Sequence, residues 1–223
     1  MIDRRTATCK AGMRGLLLGL LLSVGSGPAV AGPLSDLIMA PGLLADLPAG
    51  DALRYRHERT VPQPDGTALP GAGRGLPVPS AVNDAELKLA PDGAGMLVLS
   101  SEEPGESQPM ASFPAAGGNP VLLFFLENVV RNLAVATGGS PFYLRNRMLE
   151  TLVAADLLAA AGGPTEILIH PFAQDPNRAR LGPFADLQIG LRLDPGDPAR
   201  LLALSADAGT TGYRETMTLV SED

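Results

Sequence analysis

Asn119-Pro120-Val121-Leu122-Leu123-Phe124-Phe125-Leu126-Glu127-Asn128-Val129-Val130-Arg131-Asn132-Leu133-Ala134-Val135-Ala136-Thr137-Gly138-Gly139-Ser140-Pro141 is the stretch on which the fold turns. Asn before the run, Pro at its first position and Gly just past its end follow the positional asymmetry of helix termini. Ser140-Pro141 repeats the device and opens a second run, Phe142 to Ala161, closed by Gly162-Gly163. The spacing predicts two helices within 119–162 joined by a tight turn, an αα-hairpin. The first is apolar almost all round. Its polar residues Glu127, Asn128, Arg131 and Asn132 form one narrow strip, with Glu127 and Arg131 one turn apart. Such a helix belongs in a core. A membrane span needs about 20 apolar residues, and this run is shorter and carries a polar strip. The second helix sets Leu144, Met148, Leu152, Ala155 and Leu158 on one side.

Working outward, the flanks read as strands. Leu53, Tyr55, His57 and Val61 alternate with Arg54, Arg56, Glu58 and Thr60. Ala85–Leu89 and Met96–Leu99 flank Pro91-Asp92-Gly93-Ala94-Gly95, a hairpin signal. Residues 62–80 are rich in proline and glycine and read as a loop. Residues 101–118 read as loop, with a short strand near Met110–Phe113. Beyond the helices, Glu166–His170, Leu187–Leu193, Leu201–Ser205 and Thr211–Val220 complete the set. The last places Tyr213, Glu215, Met217 and Leu219 on one face. Strands joined mostly by hairpins on either side of a helical pair imply an α+β domain. The expected architecture is an antiparallel sheet of about six to seven strands, with the hairpin inserted mid-chain and packed on one face.

The N-terminus adds an address. Arg4, Arg5, Lys10 and Arg14 precede an apolar run from Gly15 to Val24, then Ser26-Gly27-Pro28 and Ala29-Val30-Ala31. This is the pattern of a cleavable export signal over 1–31, with the cut between Ala31 and Gly32. The expectation is a periplasmic protein, working as one domain over 32–223, with no transmembrane segment after cleavage. Taking the four bases and one acid of 1–31 from totals of 17 and 24 leaves 13 basic and 23 acidic side chains, a formal charge of −10. Nucleic-acid affinity rests on basic surface, so that role is excluded. Cys9, the one cysteine, lies in the segment to be removed. Thiol chemistry, disulfides and Cys-ligated metal are therefore not expected of the mature chain.

No catalytic or metal-binding constellation emerges, and no cofactor is implied. His57 and His170 lie on strands in different thirds of the chain, without HxH, HxxxH or HExxH spacing. Either could serve a hydrolase as a general base, or join Glu215 at a metal. Asp175, Asp194 and Asp197 lack calcium-loop spacing. Arg54, Arg56 and Arg59 are expected to pair with Glu58 and cross-strand acids such as Glu215. The candidate ligand-binding residues are Ser140, Tyr143, Arg145 and Arg147. A helix N-terminus offers free N–H groups and partial positive charge, and arginines add fork-shaped donors for an anion. The same residue types also serve as an ordinary turn with ion pairs to Glu150.

At the level of architecture, this layout resembles periplasmic lipoprotein carriers, in which a curved antiparallel sheet cups apolar cargo and helices plug the mouth. The resemblance implies a first helix closing an apolar cavity lined by Leu87, Val98, Ile189 and Leu191. The leading expectation is a non-catalytic binding or carrier module for a hydrophobic ligand or lipid. The alternatives are an envelope assembly or protein-interaction factor, with an envelope protein as partner, and a hydrolase using His57 or His170.

Overall fold

A computed structural model describes residues 38–62, 69–72, 75, 77–155, 165–194, 196–197 and 200–222. The expected export signal lies outside the described residues, as do part of the 62–80 loop and residues 156–164, the expected end of the second helix. The strands are β1 (Leu53–Thr60), β2 (Val82–Pro91), β3 (Met96–Glu103), β4 (Glu106–Pro114), β5 (Thr165–Ile169), β6 (Gln188–Leu193), β7 (Leu201–Asp207) and β8 (Arg214–Glu222). Between β4 and β5 run α1 (Pro120–Thr137) and α2 (Pro141–Val153); between β5 and β6 lie a short α3 (Arg178–Leu181) and the 3-10 turn Gly182–Asp186.

The protein is an α+β domain built on one antiparallel sheet in the order β4-β3-β2-β1-β8-β7-β6-β5. The chain starts at the centre with β1, meanders to one edge, passes through the helices, re-enters at the other edge and returns to the centre as β8. The sheet has eight strands, not the expected six to seven. The eighth is β4, of which only a short strand near Met110–Phe113 is expected from sequence; its Ser107, Gln108 and Pro109 look like loop and pair at an exposed edge. Proline is tolerated at an edge, where a missing ladder N–H costs little.

Local chemistry explains the joints. Asp92 Oδ1 accepts from the N–H groups of Ala94 and Met96 at 2.7 and 3.1 Å, closing the turn between β2 and β3. Asn119 Oδ1 accepts from Val121 and Leu122 and caps α1. Gly138, at φ 70°, ends it by donating to the Ala134 carbonyl. The α2 helix stops at Val153, well before Gly162. Ala154 follows it and donates its N–H to the Glu150 carbonyl at 3.1 Å.

Twelve of the 18 residues of α1 are buried. Of the described helices, α1 alone is long and apolar enough to cross a membrane by length and composition, and most of that stretch is buried within the fold. Val121, Leu122, Phe125, Val129, Val130 and Leu133 join strand residues Leu53, Tyr55, Leu87, Leu89, Ile189, Leu191 and Met217 in one continuous core. Leu87, Ile189 and Leu191, expected to line a cavity, are thus core residues packed with the helix. Val98 is a correction: it is half-buried and outside this core, and Leu97 and Leu99 take the inner positions of β3. In a run of four apolar residues the sequence offers no polar alternation to tell the faces apart. The loop segment 69–72 docks on the end of α1: Gly71 N–H donates to Val135 O at 2.7 Å. A Cβ on Gly71 would lie 2.4 Å from Ala134 O, so only glycine fits this approach.

Candidate functional site

Three places carry unusual chemistry. The first is a polar cluster inside the core. Glu215 on β8 and His57 on β1 face the same side, and His57 Nε2 lies 2.8 Å from Glu215 Oε1. Asn132 of α1 donates to Glu215 Oε2 at 2.9 Å, and the Tyr213 hydroxyl donates to the same oxygen at 2.7 Å. Glu215 is wholly buried, Tyr213 1% exposed and His57 3% exposed. Burial, then the adjacent Glu215 charge, pushes the Tyr213 hydroxyl well above its ordinary range. Three partners thus surround a carboxylate sealed from solvent, which is the condition under which a buried charge is tolerated. None of these four residues lines any of the described recesses. The cluster ties α1 to the two central strands.

The second place is a recess of about 290 Å³ at the start of α2, lined by Thr137, Gly138, Gly139, Ser140, Tyr143, Leu144, Asn177, Arg180 and Leu181. The first-turn N–H groups of α2 have no intrahelical acceptor, and the Ser140 side chain does not cap them. Arg180 is exposed and has no acidic partner among the described residues. Behind the recess stands Asp175, whose Oδ1 accepts from the Tyr143 hydroxyl and from Asn177 N–H, both at 2.6 Å. Its Oδ2 accepts from Arg147 Nε at 3.0 Å. Burial pushes the Asp175 carboxyl up, but the Tyr143 and Asn177 hydrogen bonds and the Arg147 charge outweigh it and hold the group below the ordinary aspartate range.

The third place is an open apolar recess of about 310 Å³ lined by Pro62, Leu69, Pro70, Ala136, Pro183, Phe184 and Thr211. It adjoins the second. Ala136 lines one and Thr137 the other, and a Cβ on Gly138 would meet the Pro70 backbone at 3.3 Å.

The four residues singled out from sequence divide into pairs. Ser140 and Tyr143 line the polar recess. Arg145 does not: it makes a forked pair with Glu127 Oε2 at 2.7 and 3.1 Å and lies 5.6 Å from the Phe142 ring centre. Arg147 is spent on Asp175 and on Glu150. Arg54 and Arg56 pair with Glu86 and Asp84 across β2, at 3.3 and 2.5 Å. The expected pairing with Glu215 is corrected: Arg59 stands opposite Glu215 in the ladder, but that carboxylate is taken by His57, Asn132 and Tyr213, and Arg59 donates to Ser80. His170 is exposed at the end of β5, and three strands separate β5 from the β1 strand that carries His57. Among the described residues no three His, Cys, Asp or Glu side chains gather as metal ligands would. Arg180 and Asn177 escaped the sequence reading, because neither sits in a motif and both enter the recess from the short helix α3 and the residue before it, distant in the chain. No family model matches the chain, and no match was found among curated proteins.

Proposed function

We propose that the chain is an exported, non-catalytic binding module for a hydrophobic ligand or lipid, held at the paired recesses beside the C-terminal end of α1. In this reading α1 and α2 form a hairpin packed on one face of the sheet, and the ligand sits at the hairpin's turn rather than under it. The observation that carries the reading is the apolar recess of about 310 Å³, bounded by Leu69, Pro70, Ala136, Pro183 and Phe184. Its size is at the lower end of small-molecule pockets, which run from roughly 300 to 1,000 Å³. The adjoining polar recess supplies backbone N–H groups and Arg180 for an acidic head group. A single-chain amphiphile with a carboxylate or phosphate end fits both.

The test is a titration of the mature protein with a fluorescent single-chain fatty acid. Saturable one-to-one binding, abolished by Phe184→Asp and weakened by Arg180→Glu, supports the reading. No saturation up to a probe concentration of about 100 μM, a level weaker than most specific small-molecule binding, would sink it.

A second reading, an envelope interaction factor, draws on β5. This five-residue edge strand carries Leu168 at 58% exposure and contains no proline to blunt pairing. Pull-down from an envelope fraction, repeated with Leu168→Lys, separates it: a stoichiometric partner lost in the variant favours it, and recovery of the protein alone counts against it.

A further inference from the structure

We propose that the β5 edge pairs with β5 of a second copy of this chain, antiparallel about a two-fold axis through Leu168. The inference is independent of the ligand reading; it rests on the edge that the second reading uses and names a different occupant for it. The sheet ends at β4 on one side and at β5 on the other. Proteins blunt free edges with proline, charge and bulges. The β4 edge carries Glu106, Pro109 and Pro114, and its ladder with β3 slips between Leu99 and Ser100. The β5 edge has neither proline nor slip: Thr165 to Ile169 run in register against Leu193 to Ile189. Beside β5 opens a recess of about 460 Å³, bounded by Thr151, Ala154 and Ala155 at the end of α2 and by β5 itself.

The chemistry of β5 is complementary to its own reverse. Glu166, Leu168 and His170 are exposed on the outer side, while Ile167 and Ile169 are buried on the inner one. Antiparallel pairing of two copies keeps inner residues opposite inner ones, so the axis must pass through a residue. Through Leu168 it sets Leu168 against itself, Ile167 against Ile169, and Glu166 of each copy against His170 of the other. Through Ile167 it would set Glu166 against Leu168. Through Ile169 it would run the ladder into Pro171, which has no N–H to donate. The Leu168 axis alone matches each residue with a suitable one. An imidazole N–H donates to a carboxylate, and symmetry provides this pair twice. Glu166 is open to it: its side chain is 79% exposed and stands 4.0 Å from Arg192. On the axis, two exposed leucines withdraw each other from water.

The test is sedimentation equilibrium of the purified mature protein, alone in buffer. A short paired edge makes a small interface, so a dimer half formed at roughly 100 μM is expected. Leu168→Lys sets like charges face to face and should raise the dimer Kd at least tenfold. His170→Glu sets carboxylate against carboxylate twice and should raise it about tenfold; adding Glu166→Lys should return it to within about threefold of wild type. A double variant no better than His170→Glu would overturn the pairing. Cysteine placement reads the register directly, because the mature chain has no cysteine of its own. Leu168→Cys stands against itself at the Cα spacing a disulfide accepts, about 4.5–5.5 Å, and should link two chains under mild oxidation. Glu166→Cys, about 13 Å or more from its own copy, should not. Equal linkage of both would overturn the register. A monomer at every concentration up to about 1 mM would overturn self-pairing while leaving the envelope-partner reading to its own pull-down.

Discussion

Glu215 and Asp175 are both buried carboxylates, and they are dressed almost alike. Glu215 has a tyrosine hydroxyl, an asparagine donor and a histidine; Asp175 has a tyrosine hydroxyl, an asparagine backbone N–H and an arginine. They differ in where the donors go next. The partners of Glu215 are core residues of β1, α1 and the segment leading into β8, and none borders a described recess. Two partners of Asp175, Tyr143 and Asn177, form the wall of the polar recess beside Arg180. The same set of donors therefore does different work. Around Glu215 it ties a helix to the sheet; around Asp175 it fixes two residues of a recess wall.

The largest effect is expected from Glu215→Ala. It strands three buried partners at once, and breaking a buried charged cluster costs about 3–5 kcal/mol. Urea unfolding should show it; a loss under about 1 kcal/mol would mean that the cluster is not a structural lock. Asp175→Asn is expected to cost less, about 1–3 kcal/mol, because its site borders solvent. This second loss should depend on pH. The folded-state value of Asp175 lies below its unfolded value, so its contribution is complete above the ordinary aspartate range and disappears as pH falls through the folded-state value. The gap between wild type and Asp175→Asn should accordingly close in acid; a gap independent of pH would remove the ionic account.

Spectroscopic titration sharpens the comparison further. Tyr213 should ionise only above the ordinary tyrosine range, where alkaline unfolding exposes it, and Tyr213→Phe should delete that late phase from the ultraviolet titration. If the variant lost an early phase instead, the Tyr213 hydroxyl would not be sealed. The smallest stability effect belongs to Arg180→Glu, within about 0.5 kcal/mol of wild type, because the residue is exposed and has no acidic partner among the described residues. It should nevertheless weaken binding of an acid-headed ligand more than that of the corresponding alcohol. Equal weakening of both would detach Arg180 from head-group recognition.

The sequence made the framework legible wherever one local signal had one meaning. The ends of α1, the Asp92 turn and the alternation of β1 and β8 each reduce to a single capping, turn or period rule. Legibility failed where the signal came from elsewhere in the chain. Ser107-Gln108-Pro109 is strand only because β3 offers it an edge to pair with. The identity of the inner face of β3 depends on its partner Leu89, which stands opposite Leu99. The polar recess is assembled from a helix start and a loop more than 30 residues apart, as the Tyr143–Asp175 bond shows. Arg145 and Arg147 looked available because their acidic partners, Glu127 and Asp175, are brought to them by tertiary structure.

The central claim is that the adjoining recesses hold an apolar ligand, and native mass spectrometry of the mature protein purified from its own compartment tests it most directly. The account predicts a species heavier than the bare chain by one small hydrophobic molecule, reduced in Arg180→Glu and absent in Phe184→Asp. A bare chain in every preparation, with no added mass after incubation with fatty acid or lysolipid, would contradict it.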